Sequence, residues 1–242
     1  MNLHDTHFHL DLCSDITKMV AQIEREKIYT IAVTNLPDLF HHTKNFIRNT
    51  KYIRPSLGFH PELAASHIGQ LGKFIALARE AKYIGEIGLD NFKKQSDDYQ
   101  SQKKIFQAIL ECCAIHGGKV LSIHSRRAEA EVIAMVGKNY PGSPILHWYS
   151  GSIKNLEQAL DNGFLFSINY AMTQSTNGKS IVKALPLAHI LLESDGPFTR
   201  LGDEEGWPGH AKAVVEQIAS IKGLSVSEVS TNLIINFKKL VS

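Results

Sequence analysis

The chain has 242 residues, 43% of them hydrophobic, and a net charge of +2, which suits one large core and excludes an overall basic field that clamps duplex DNA. Three cysteines, an odd count with Cys112 and Cys113 adjacent, argue against a disulfide framework and for a reducing, cytoplasmic compartment. The opening MNLHDTHFHL has neither a basic nor a long apolar segment, and no apolar stretch approaches the ~18 residues of a membrane span, so neither a signal peptide nor a membrane contact is expected.

In chain order, short apolar runs alternate with longer amphipathic stretches. A strand over residues 2–6 leads to a helix over 16–26, where Ile16, Met19, Val20 and Ile23 recur at helical spacing. The next pairs are strand 29–34 with helix 40–50, strand 53–57 with helix 67–81, and strand 83–87 with helix 99–116. Strand 120–124 with helix 129–139, strand 145–147 with helix 153–162, strand 164–168 with helix 180–185, and strand 189–193 with helix 210–222 complete eight units. Gly223 ends that last helix, and Ser225 with Glu228 forms a capping box for one more. Alternation of this kind predicts a parallel sheet with right-handed crossovers. Eight units favour closure into a (β/α)8 TIM barrel, one domain over residues 1–242. No GxGxxG or GxxxxGK[ST] follows any strand, which counts against a nucleotide-binding open sheet. Two loops, residues 91–98 and 196–209, are long for connectors and are expected to overhang the pocket.

Six metal-competent side chains sit at or just past the ends of these runs: His7, His9, Glu86, His124, His147 and Asp195. In a parallel barrel those ends meet at one face, so residues scattered along the chain converge on one pocket. The ratio of His to carboxylate suits two divalent cations sharing a carboxylate. In HFH, the two imidazoles of His7 and His9 point the same way on an extended strand. Glu86 stands in the apolar run YIGEIGLD, where an unpaired carboxylate is costly, and no basic residue is expected in the central strands to pair with it. Asp195 ends ILLESD and is placed to bind one cation and accept a proton from the attacking water. Its neighbour Glu193 is read as a structural contact. His60 in GFHPE is read as a substrate or outer metal contact, with Glu62 weaker. Arg126 in HSRRA suits a phosphate oxygen, while Arg127 is read as solvent-facing. Tyr149, Asn169 and Phe198 are candidates to line the mouth, with a plain rim position the alternative. His41, His42, His116, His189 and the pair Lys93–Lys94 are read as structural or surface residues.

DTHFHLD, GFHPE, GEIGLD, IHSRRA, LHWYSG and ESDGPF together resemble the TatD family of metal-dependent hydrolases, in that family's order and over nearly the whole chain. The resemblance implies a (β/α)8 barrel that hydrolyses DNA phosphodiesters with divalent metals, often from the 3′ end. It implies ligand roles for His7, His9, Glu86, His124, His147 and Asp195, with His60 nearby. Two rim segments depart from the family: Asn91–Phe92 stands where a Tyr often follows GLD, and Trp207–Pro208 stands where Asn-Glu-Pro is frequent. GGKVLSIHSRRA, SGSIKNLEQAL and SINYAM are most similar to the TatD-like subunit encoded with anti-phage systems of the Qat type, which implies other Qat proteins as partners.

The expectation is therefore a two-metal DNase, an exonuclease taking single-stranded or frayed ends. Asp195 and Glu86 are the catalytic pair, and His60 and Arg126 bind substrate. The native metal is left open among Mg²⁺, Mn²⁺ and Zn²⁺. The rivals are a metal-dependent ester or amide hydrolase and a subunit that only holds metal within a larger assembly.

Overall fold

A computed structural model of the protein describes residues 3–92 and 96–242, so Asn2 and the pair Lys93–Lys94 lie outside the described residues. Eight strands run parallel and pair in sequence order. They are β1 (His4–Phe8), β2 (Tyr29–Ala32), β3 (Ile53–Leu57), β4 (Tyr83–Gly88), β5 (Lys119–His124), β6 (Gly142–His147), β7 (Leu165–Ile168) and β8 (Ile190–Leu192). Outside them lie α1 (Ile16–Glu26), α2 (Pro37–Phe46), α3 (Leu71–Ala78), α4 (Ser96–His116), α5 (Glu129–Val136), α6 (Ile153–Asp161), α7 (Tyr170–Gln174) and α8 (Thr176–Ala184). Two further helices, α9 (Ala211–Lys222) and α10 (Val226–Val241), follow β8. This is the (β/α)8 barrel that the alternation predicts. The central strands are buried on both faces, so they read as near-continuous apolar runs rather than alternating ones. Every residue of β4 is buried, Glu86 included.

The barrel closes between β1 and β8, partly through side chains. Thr6 Oγ1 donates to the Leu192 carbonyl at 3.1 Å, and the Leu192 amide donates to His4 Nε2 at 3.1 Å. His4 must be neutral at Nε2 to accept, and burial lowers its pKa to about 3. Its ring stacks on Phe237 of α10, with centroids 4.4 Å apart, so the last helix covers the seam. Just beyond β8, the Asp195 amide donates to the His7 carbonyl at 2.9 Å and the His9 amide to the Gly196 carbonyl at 3.1 Å. The closure thereby fixes Asp195 against the HFH segment.

Helix ends follow their caps. Asp15 accepts from the Lys18 amide at the start of α1, Ser152 from Asn155 before α6, and Ser225 from Glu228 before α10. Gly223, with φ 66°, ends α9 in the left-handed conformation that favours glycine.

Several boundaries differ from the sequence reading, each for a local reason. β1 runs over His4–Phe8 rather than 2–6, because it pairs His4 with Tyr29 and Phe8 with Ala32. Asp5 and His7 alternate with His4 and Thr6 and meet Ser194 and Ser122, while His4 packs on Phe237, so both faces of this polar strand are buried, which an apolar-run criterion misses. The predicted helix 67–81 contracts to α3 after a separate turn at Ile68–Gln70. The helix predicted over 40–50 starts earlier, at Pro37, a residue preorganised for a first turn, and stops at Phe46. The helix predicted over 180–185 begins at Thr176, where Ser175 caps it, and α7 precedes it under its own cap, Asn169. The segment 196–209 is not all loop, since β9 (Arg200–Leu201) and β10 (Glu204–Glu205) pair antiparallel within it. Lys119 opens β5, but its ammonium donates to the Ala78 and Ala81 carbonyls, each at 2.7 Å. It sits at the end of the strand away from His124 and offers Glu86 no partner.

Candidate metal centre

The strand ends open into a cavity of about 510 Å³ lined by His9, His60, Glu86, His124, His147 and Asp195, among others. His7 lies beneath its floor, wholly buried. All six residues singled out from the sequence therefore meet at one mouth, from β1, β4, β5, β6 and the segment after β8.

Glu86 is at the centre. Its Oε1 lies 2.7 Å from His124 Nδ1, 2.9 Å from His147 Nε2 and 3.4 Å from His60 Nε2. Its Oε2 lies 3.6 Å from His7 Nε2 and 3.3 Å from His9 Nε2. One carboxylate thus presents its two oxygens to two different histidine pairs. Asp195 Oδ1 is 3.5 Å from both His7 Nε2 and His9 Nε2, which are 3.2 Å from each other.

These separations test whether a cation fits. Nitrogen and oxygen ligands stand about 2.1 Å from a zinc-sized ion, and a tetrahedron of that radius has edges of about 3.4 Å. The pairs measured among His7, His9, Asp195 and Glu86 Oε2 fall between 3.2 and 3.6 Å. Around Glu86 Oε1, His124 and His147 the three edges are 2.7, 2.9 and 3.4 Å. The first set matches that spacing, whereas the 2.7 and 2.9 Å edges around Glu86 Oε1 are hydrogen-bond distances and would have to widen around an ion. As donors, the nitrogens and carboxylates together suit Mg²⁺, Mn²⁺ or Zn²⁺.

The electrostatics point the same way. Burial opposes ionisation of Glu86, yet the charges of His60 and His147 and the His124 hydrogen bond hold its pKa well below the ordinary range. Burial likewise opposes a charge on His9, but hydrogen bonds to Asp195 and Glu86 raise its pKa to about 10. His124 rises to about 9 against its burial, through Asp90 and Glu86. The carboxylates draw positive charge into a buried site, which a metal ion would supply in place of protons.

The rings are aimed by outer contacts. His124 Nε2 pairs with Asp90 Oδ2 at 2.8 Å, which turns Nδ1 toward Glu86. His7 Nδ1 meets Ser122 Oγ at 2.7 Å, which turns Nε2 into the cluster. Asp5 accepts from the His7 amide at 2.9 Å and from Ser194, and burial raises its pKa to about 7. Such partners fix ring orientation and tautomer in metal sites. The sequence reading missed Asp90, Ser122 and Asp5. Asp90 had a signal, since it closes GEIGLD as His124 closes its own run. Asp5 shares the alternation of His7 and His9, as Ser122 shares that of His124.

Glu193, read from the sequence as a structural contact, is hydrogen-bonded to its surroundings but also gathers with His7 and His147 closely enough to hold an ion. It accepts from the Trp148 amide at 3.0 Å, from Asn169 Nδ2 at 2.9 Å and from Ser167. Burial and then the Asp195 charge push its pKa well above the usual range. The Arg126 guanidinium lies 3.9 Å from Asp90 Oδ2 and 3.6 Å over the Phe92 ring, and it lines the cavity. Arg127 also lies over Phe92, at 4.6 Å, rather than extending into solvent alone. Of the three mouth candidates, only Phe198 lines the cavity. Tyr149 is buried with its hydroxyl on the Ser152 carbonyl, and Asn169 caps α7. His41 pairs with Glu80 on the surface and His189 bonds the Phe164 carbonyl, both away from the centre.

Comparison with known proteins agrees with this geometry. The family profile described as "TatD related DNase" matches residues 4–242. An uncharacterized metal-dependent hydrolase of Methanocaldococcus jannaschii is 28% identical, over 93% of this chain and 91% of its own. A protein of Schizosaccharomyces pombe named deoxyribonuclease Tat-D is 27% identical over 69% of this chain and 57% of its own. The crystal structure of YjjV, a TatD homologue from Escherichia coli, superposes with a TM-score of 0.88 at 21% identity, covering 98% of this chain and 97% of that one. The chain belongs to the TatD-related DNase family and is a hydrolase of the metal-dependent type.

Proposed function

We propose that the protein is a two-cation phosphodiesterase that removes nucleotides from DNA ends. The observation that carries the reading is the divided Glu86 carboxylate, one oxygen toward His7 and His9 and the other toward His124 and His147. His7, His9 and Asp195 would hold one divalent ion and His124 and His147 the other, with Glu86 the carboxylate shared between the two sets. Ions so held supply Lewis acidity to phosphate oxygens and make bound water acidic near neutral pH. Asp195, beside His7 and His9, accepts the proton lost by the attacking water. Arg126 engages a phosphate oxygen from the rim, and His60 contacts substrate beside Glu86.

DNA as substrate is supported by relatives bearing the name deoxyribonuclease, such as the Schizosaccharomyces pombe protein. The cavity has the size of a small-molecule site, which suits a terminal nucleotide rather than the breadth of a duplex. The expected result on end-labelled DNA is stepwise shortening of linear single strands, with closed circles resistant. Equal rates on closed circles and linear strands contradict the exonuclease reading. Chelation is expected to abolish hydrolysis and a divalent cation to restore it. Full activity at verified negligible metal content overturns the metal reading.

We further infer, from the likeness of GGKVLSIHSRRA, SGSIKNLEQAL and SINYAM to the Qat-type subunit alone, a part in anti-phage defence beside other Qat proteins. Phage challenge of cells carrying the whole system with and without Glu86→Ala tests this, and unchanged protection rejects a catalytic part in it. A reducing cytoplasmic location accords with three unpaired cysteines, and among the described residues no helix is long and apolar enough to cross a membrane.

A further inference from the structure

Phe198 departs from its surroundings. Its ring is 60% exposed in a cavity otherwise lined largely by histidines, carboxylates, Arg126 and serines. Leaving a large apolar ring in water forgoes the benefit of burying it, so its position has no account in folding. His9 meets it in a T-shaped contact, with ring centroids 5.2 Å apart.

The backbone around it is pinned. The Phe198 amide donates to the Asp195 carbonyl at 2.9 Å, Thr199 Oγ1 to the Ser194 carbonyl at 2.5 Å, and the Gly206 amide to the Thr199 carbonyl at 2.7 Å. The ring is held beside His9 and Asp195 on a fixed turn, so its exposure does not come from a loose segment. On another part of the rim, Phe92 is already covered by the guanidiniums of Arg126 and Arg127. Trp148, also on the cavity wall, is only partly exposed. Phe198 therefore offers the most open aromatic surface at this mouth. Every nucleobase has a flat π-face, so stacking on such a ring is tolerant of sequence.

We propose that Phe198 is a base-stacking platform that holds the terminal nucleobase while the adjoining phosphate lies over the Glu86 cluster. The placement of the phosphate rests on the phosphodiesterase reading above, whereas the stacking of the base does not. The platform makes substrate selection depend on a base being present, without choosing among bases.

Calorimetry on the Mn²⁺-supplemented protein compares thymidine 5′-monophosphate with 2-deoxyribose 5-phosphate, which lacks the base. The wild type is expected to prefer the nucleotide by roughly 5-fold or more, as stacking on one aromatic ring gives. Phe198→Ala should erase that preference, and Phe198→Trp should keep it. The proposal is overturned if the wild type shows no preference, or if Phe198→Ala weakens both ligands equally. A wild type that prefers the nucleotide through Phe198 but hydrolyses no DNA defeats the DNase reading and leaves the platform standing.

Discussion

Glu86→Ala is expected to empty the centre and stop turnover together. The carboxylate supplies the only oxygen near both His124 and His147 in the measured set, at 2.7 and 2.9 Å, and a further oxygen at 3.3 Å from His9. Without it, one donor set falls to two imidazoles and the other to His7, His9 and Asp195. Losing a mere outer partner of a ligand lowers metal affinity by about 10–100-fold, and losing a shared ligand should exceed that. The barrel itself should remain folded, because its strands are packed by residues such as Leu121, Ile123, Leu146 and Ile168, all fully buried. Mass spectrometry of metal content, circular dichroism and a DNA hydrolysis assay together check the expectation. Wild-type metal content in Glu86→Ala refutes the bridging role.

The barrel was legible because most strands are short apolar runs followed by an amphipathic helix, a pattern that buried parallel strands impose. The ligand candidates were legible because a charged group within such a run, like Glu86, needs a special partner. What stayed hidden depends on contacts between distant residues. Asp90 acts through His124, and Ser122 through His7, so the ring that each one orients is not written beside it in sequence. The extent of β1 was hidden because its end is set by the pairing of Phe8 with Ala32, a contact that no local pattern marks. Arg126 was legible as a candidate phosphate contact, but the stacking of Arg126 and Arg127 on Phe92 was not, since the ring comes from another strand end. Position on a strand end is written locally, whereas orientation is written in pairs.

Asp195→Asn should separate catalysis from metal binding. Asp195 Oδ1 lies 3.5 Å from both His7 Nε2 and His9 Nε2, so an asparagine carbonyl oxygen of the same reach can still coordinate. The backbone should tolerate the change as well. Asp195 has φ 47°, in the left-handed region, and asparagine adopts that region as readily as aspartate. Its amide also keeps the bond to the His7 carbonyl, because no backbone atom changes. What is lost is the carboxylate that accepts the proton of the attacking water. General-base help is worth about 10²–10⁴-fold, so single-turnover hydrolysis should fall by roughly 10²-fold or more. Metal content and DNA binding should stay near the wild-type values, in contrast to Glu86→Ala. A protein that only holds metal within an assembly gives a different pattern, in which both variants preserve cellular function wherever the complex forms. Complementation with the two variants, read beside their metal content and kinetics, distinguishes the cases. Wild-type turnover in Asp195→Asn removes Asp195 as the proton acceptor and leaves it as a ligand alone.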